Sequence, residues 1–382
     1  MGTISTRPSL APIDHFEAAN LDETPAAQLR RIREQAPRFK EWFRSTGTVD
    51  FFAGRSLVTL PYPRRFALWE ACSVPVPYVW MTNRMFVVQW EEEDDGSPGR
   101  SATGKRRTRT LLAEPSDYEL GVDTPFLKRS IERLPMQRDR ALETFFVRHA
   151  HVDEHLAQLG LTPADGDYLS FDHLHTQDVR RLIGTTAPAP DLGYDDAPVP
   201  ATFPNAKLIV QPAELEHVRD VHPFQARFHQ SWTYRDLDEE ALLVVEGDVL
   251  LGPGVALLRT PGHTLGNHTL VVNTSRGIVT SSENGVAVEC YAPEHSRLPG
   301  VAKWAREWGY EVVMNFNTPE YASWQYNSMV KEKLIADPMP GRPELPQVFP
   351  SSELTRHRLA PGIRPTYEHG DLTIGAVSGR TS

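Results

Sequence analysis

Apolar residues along the second half of the chain recur in short runs broken by turns of glycine, aspartate and proline. Residues 241–245, 249–251 and 255–260 are such runs, separated by Gly247-Asp248 and Gly252-Pro253-Gly254, and this pattern predicts an antiparallel meander. Further strands are expected at 269–273, 277–281 and 311–314, and earlier at 56–60, 66–70, 78–81, 85–90, 110–113, 166–171 and 206–211. Helical spacing appears elsewhere. Thr24-Pro25 supplies a cap followed by an N1 proline, and residues 26–43 carry Leu29, Ile32 and Trp42 at helix-compatible intervals. Other helices are expected over 137–159, 212–221, 304–308 and 326–335. Residues 91–107 hold acids, Gly and Ser, then Lys105-Arg106-Arg107, with nothing to bury, and read as a hairpin loop. The pattern divides the chain into an N-terminal extension (1–76), a main domain (77–336) and a Pro-rich C-terminal tail (337–382).

Composition narrows the function classes. With 382 residues, 40% hydrophobic and 24% charged, the chain can bury a sizeable core. A formal net charge of −10 argues against nucleic acid or an anionic membrane as partner. No apolar run approaches the roughly 18 residues that span a bilayer. Two cysteines, Cys72 and Cys290, rule out a disulfide framework and fit a reducing cytoplasm, and residues 1–11 lack the basic and apolar regions of a secretory signal. A cytoplasmic protein is expected.

The candidate chemistry lies at the end of the strand at 166–171. There the chain runs Asp172-His173-Leu174-His175-Thr176-Gln177-Asp178. In extended backbone, residues two apart point the same way, so His173 and His175 present two imidazoles on one face. Asp178 follows close enough to add a carboxylate. A second histidine-bearing loop, Thr260-Pro261-Gly262-His263-Thr264-Leu265-Gly266-Asn267-His268, comes roughly 90 residues later. A rival cluster, His149, His151 and His155, sits in the expected helix at 137–159. His149 and His151 diverge there by about 200°, so a hydrated helix face is the expectation.

Together the two loops resemble the His-x-His-x-Asp-His and Thr-Pro-Gly-His-Thr-x-Gly-His motifs of the metallo-beta-lactamase superfamily, and the resemblance covers about residues 77–330. It implies an α/β fold, a four-layer αββα sandwich with metal at one edge of the paired sheets. His173, His175 and His263 match the three histidines of the first metal position. Glu283 matches the carboxylate, usually Asp, that bridges two ions. Where the family has Asp-His, this chain has Gln177-Asp178, and no histidine occurs at 313–317, where the last ligand would fall; His295 is the nearest. One ion is therefore expected, Zn2+ first, with Fe2+ or Mn2+ as alternatives.

Three imidazoles around a divalent ion with an open position can lower the pKa of a bound water towards about 7. The expected function is hydrolysis of an ester, lactone, thioester or amide in a small molecule, with Asp178 as the catalytic group handling the water proton. Asp178 could instead join Glu283 on a second ion. Two other classes stand beside it. Glu283 with two histidines would make a mononuclear iron oxygenase site, and a decayed site would leave a non-catalytic binding protein. Asp172 either fixes a histidine tautomer or lies in solvent, and the extension and tail could cover the pocket mouth or support a homodimer.

Overall fold

The computed structural model describes residues 10–21, 24–93, 106–230, 232–316 and 318–378. Two sheets face each other because alternate residues of their strands are apolar on both faces. In Tyr78–Glu93, Phe86, Val88 and Trp90 point one way while Met85 and Val87 point the other, and both sets are buried. Val255–Arg259 does the same with Val255 and Leu257 against Ala256 and Leu258. The inward sets, joined by Leu270, Val272 and Val279, form one core between the sheets.

One sheet is an antiparallel five-stranded meander, ordered Ala11–Ile13, Asp248–Gly252, Val255–Arg259, His268–Thr274, Gly277–Ser281. The other runs Leu242–Val244, Lys207–Val210, Tyr168–Ser170, Arg106–Ala113, Tyr78–Glu93, Phe51–Pro63, Leu372–Gly375. Its first four strands are parallel and the rest antiparallel.

Helices cover both outer faces. The helix Pro25–Ser45 begins where Thr24 Oγ1 accepts from Ala27 N–H at 3.3 Å. It lays Ile32, Ala36, Phe39 and Phe43, one stripe at helical spacing, on Ala256, Leu258, Val271 and Ile278. Burying each of these phenylalanines contributes roughly 2 kcal/mol. Val152–Gln158, Arg180–Ile183 and Pro212–Arg219 cover the outer face of the larger sheet through Leu156, Leu182, Leu215 and Val218. The result is the four-layer αββα sandwich.

Several local expectations change. The helix expected over 137–159 is two helices, Arg138–Phe145 and Val152–Gln158, because Phe146 turns extended and buries its ring. The intervening Val147–Arg148 then pairs with Phe51–Pro63. His155 is consequently a core residue bonded through Nε2 to the Ser56 carbonyl, and His149 bonds Thr59, so these histidines do not converge. Residues 64–67 are a helical turn where a strand was expected, and no strand forms at 311–314. The region expected as an extension supplies Phe51–Pro63, hydrogen-bonded along its length to Tyr78–Glu93. The tail region supplies Ser352–Thr355 and Leu372–Gly375 to the same sheet. Tyr78–Glu93 and Arg106–Ala113 form a hairpin in register to Glu93 and Arg106; the rest of the expected loop, 94–105, lies outside the described residues. Among the described residues no helix is long and apolar enough to cross a membrane.

Candidate metal centre

Tyr168–Ser170 is too short to carry its histidines in the strand itself, and the chain leaves the sheet at Phe171. The loop that follows is held by backbone bonds to carboxylates. Asp172 N–H donates to Glu114 Oε1 at 2.6 Å, and Leu174 N–H donates to Glu214 Oε1 at 2.6 Å. His268 anchors the same loop, its N–H donating to the Asp172 carbonyl while its ring bonds Ser170 Oγ at 2.7 Å.

The second loop approaches from the smaller sheet. At Gly262 the backbone passes so close to Gln325 that a Cβ would lie 2.3 Å from its Cα, so only glycine fits before His263. Thr318 Oγ1 donates to the Gly262 and His263 carbonyls and fixes the turn.

These constraints bring His173, His175 and His263 together, all buried, with one ring nitrogen of each within 4.8 Å of the others. His173 Nδ1 lies 2.5 Å from Asp172 Oδ1, and Ser351 Oγ donates to Asp172 Oδ2 at 2.8 Å. His263 Nδ1 lies 3.0 Å from Asn315 Oδ1, whose own orientation is set by Gln325 Nε2. With those nitrogens engaged, His173 Nε2 and His263 Nε2 are left for an ion. His263 Nε2 faces His175 Nδ1 at 3.1 Å, so the third donor is His175 Nδ1.

Of the two readings of Asp172, the tautomer-fixing one holds. Its replacement by asparagine is expected to weaken metal retention by roughly 10- to 100-fold, measured by competition against a chromogenic chelator.

The electrostatics favour a cation. Burial alone would lower His173, yet the Asp172 carboxylate raises it to about 9. His263 is pushed down to about 3 by burial and by His173, and His175 falls well below the usual range for the same reasons. Burial and the Asp172 charge raise Glu114 well above the ordinary carboxylate range, and burial drives Glu283 up to about 7. Three acids crowd three imidazoles, and a divalent ion at the histidine nitrogens would relieve both.

The structure brings only part of the expected site together. Glu283 lines the same cleft, accepting from Ser352 Oγ at 3.1 Å, but lies outside the three-histidine set. Asp178 does not join it. Arg180 donates to both its oxygens, Nε at 2.9 Å and Nη2 at 2.7 Å, and the pair is buried. Gln177 lines the cleft, and His295 is exposed beside Glu294.

Sequence reasoning missed Glu114 and Asn315. Glu114, at φ 57°, follows the strand Arg106–Ala113, which lies parallel beside the histidine strand. The rule that functional groups gather at the carboxyl ends of parallel strands could have found it. Asn315 lies within 313–317, where the motif's last ligand would fall, and that position was its signal.

Leu60, Tyr62, Met81, Phe126, Leu127 and Phe228 wall the cleft above the histidines. Over 121 residues, 32% of this chain, the sequence is 27% identical to an N-acyl homoserine lactonase of Bacillus cereus and 29% identical to one from a Bacillus species. The match spans 38% of the length of each relative. No family model matches this chain. Among solved structures, a dizinc quorum-quenching lactonase in complex with a product is similar at TM-score 0.48 and 11% identity, covering 87% of this chain and 96% of that one. An N-acyl homoserine lactone hydrolase with product at its metal centre is similar at TM-score 0.46 and 17% identity, covering 80% and 94%. This chain brings His173, His175 and His263 together and turns Asp178 away from them, to Arg180.

Proposed function

We propose that this protein is a metal-dependent hydrolase that opens an ester-type bond in a small molecule, a lactone first among them. The observation that carries this reading is the buried three-histidine set, braced by Asp172 and Asn315, at the floor of an apolar-walled cleft that also holds Glu114 and Glu283. The partial match to lactonases supports the choice of bond.

His173 Nε2, His175 Nδ1 and His263 Nε2 would hold one zinc ion. When bound, zinc supplies a Lewis acid for the carbonyl and lowers the pKa of water. The chain's own residues do the rest. Asp172 keeps the His173 proton on Nδ1, and Asn315 orients His263. Glu283, poised near neutrality, can accept a proton at its carboxylate, and Glu114 holds the loop by accepting from the Asp172 N–H. The apolar walls hold an acyl group and exclude water. One ion rather than two is favoured by the loss of Asp178 to Arg180 and by an asparagine at 315. The oxygenase reading is less favoured because Glu283 is not among the converging donors.

The test is elemental analysis of the purified protein together with ring opening of an N-acyl homoserine lactone followed by pH-stat. About one zinc per chain, with activity lost to a chelator and restored by zinc, is the expected result. Iron with oxygen consumption would favour the oxidative class, and a wild type that retains neither metal would overturn both.

Two substitutions separate the carboxylates. Glu283→Gln should lower kcat by roughly 10²- to 10⁴-fold while zinc stays bound. Asp178→Asn should leave kcat near wild type and instead lower the unfolding free energy in urea by about 2 kcal/mol, because buried Arg180 loses one of its two carboxylate partners and keeps the other, Asp191.

A further inference from the structure

Beside the metal cleft, on the other side of Phe66 and Phe228, lies a surface pocket lined by Arg64, Arg65, Phe66, Trp69, Arg227 and Phe316. In a chain of net charge −10 it gathers three guanidinium groups, with Glu70 as the one acid at its rim.

Arg64 is structural, its Nε and Nη1 donating to the Val76 and Cys72 carbonyls. The other two are differently placed. Arg227 stands over three rings, 4.9 Å from the Phe228 centroid, 5.5 Å from Phe224 and 5.6 Å from Phe66. Its Nε is buried and has no hydrogen-bond partner. Arg65 lies 4.6 Å over Phe66, one of the same three rings. Among the described residues neither has a carboxylate within ion-pair distance. Stacking fixes the plane of a guanidinium and leaves its N–H edge directed outward, and a buried unpartnered donor is costly unless something accepts from it.

We propose that this pocket is a binding site for an oxyanion carried on a planar ring. Arg227 and Arg65 donate to the oxyanion in the fork geometry that suits carboxylate or phosphate, and the half-buried pair Trp69 and Phe316, whose rings pack on each other at the pocket wall, takes the ring. Neither group suffices alone: the aromatic faces give an inorganic anion nothing to stack on, and the guanidiniums give an uncharged ring no gain. The site is separate from the histidine set, sharing only its wall. Phe228 stacks on His175 at 5.9 Å on one side and meets Phe66 edge-on at 5.7 Å on the other. The inference does not rest on the hydrolase reading.

Isothermal titration of the metal-loaded protein at low ionic strength tests it, with phenyl phosphate, benzoate, inorganic phosphate and phenol as probes. Saturable binding of phenyl phosphate or benzoate, at least about tenfold tighter than phosphate or phenol, is expected, and the better of the two identifies the oxyanion. Arg227→Gln should weaken that binding by about tenfold or more, and Arg65→Gln, at an exposed position that leaves folding intact, should act in the same direction. Binding should survive His263→Ala. Absence of saturable binding by either ring-bearing anion overturns the proposal. So does binding that is indifferent to both arginine substitutions but lost in His263→Ala, since the probe would then be sitting at the histidines.

Discussion

His263→Ala is expected to empty the metal centre and abolish hydrolysis in one step. Zinc measured on the purified variant should fall from about one per chain to near zero, and kcat/KM on a lactone should drop on the order of a thousandfold or more. The effect is large because the histidine supplies one of three donors and the other two cannot compensate. His173 and His175 share a single short loop, whereas His263 closes the site from the opposite sheet. Its loss also strands the partners that held it. Asn315 Oδ1 loses a bond on the side that Gln325 does not fill, and a fully buried ring becomes a void. Some destabilisation therefore accompanies the variant, and far-ultraviolet circular dichroism must show that it is folded at the assay temperature. His263→Gln, with a side chain of similar reach, provides the second check. If folded variants of both kinds retained the zinc of the wild type, the three-histidine site would not be the metal centre.

That expectation could be drawn from sequence because the histidine motifs are local. His173 and His175 are two residues apart, and the glycine before His263 announces a tight turn. Much of the fold was legible for the same reason: the short apolar runs at 85–90 and 255–260 announce strands, and Thr24-Pro25 marks the helix start. What stayed hidden depends on contacts distant in sequence. Nothing near Phe51 signals that it pairs with Gln89, or near Leu372 that it pairs with Gly54, so both segments were assigned to an extension and a tail. Motif position likewise gives a residue's place but not its direction. Asp178 stands where a ligand stands in the family, yet Arg180, two residues on, draws it away from the histidines. Glu114 escaped because an acid before proline at a strand end resembles a turn.

The tail's integration leads to the second large effect, at Glu353. This carboxylate lies on Ser352–Thr355 and is fully buried. It accepts from the Arg84 guanidinium on Tyr78–Glu93, itself 2% exposed, and from the backbone N–H and Nδ1 of His369 in the C-terminal segment. One acid thus ties the central strand to a residue more than 280 positions further on, beside Ser352 and Arg84, which line the cleft. Glu353→Gln keeps the size and removes the charge, leaving Arg84 buried without its counter-ion. A loss of about 3–5 kcal/mol is expected in urea unfolding at pH 7.

The pH dependence gives this prediction its sign. Burial pushes the Glu353 carboxyl up, but the His369 and Arg84 charges outweigh it and hold it below the usual range. A folded-state pKa below the unfolded value, near 4.3 for glutamate, stabilises the fold above that value, and the stabilisation is lost as pH falls through the folded one. The difference between wild type and Glu353→Gln should therefore be full at neutral pH and shrink below about pH 4. A difference that stayed constant from pH 7 to pH 3 would mean that shape, not charge, is what the tail needs at this position.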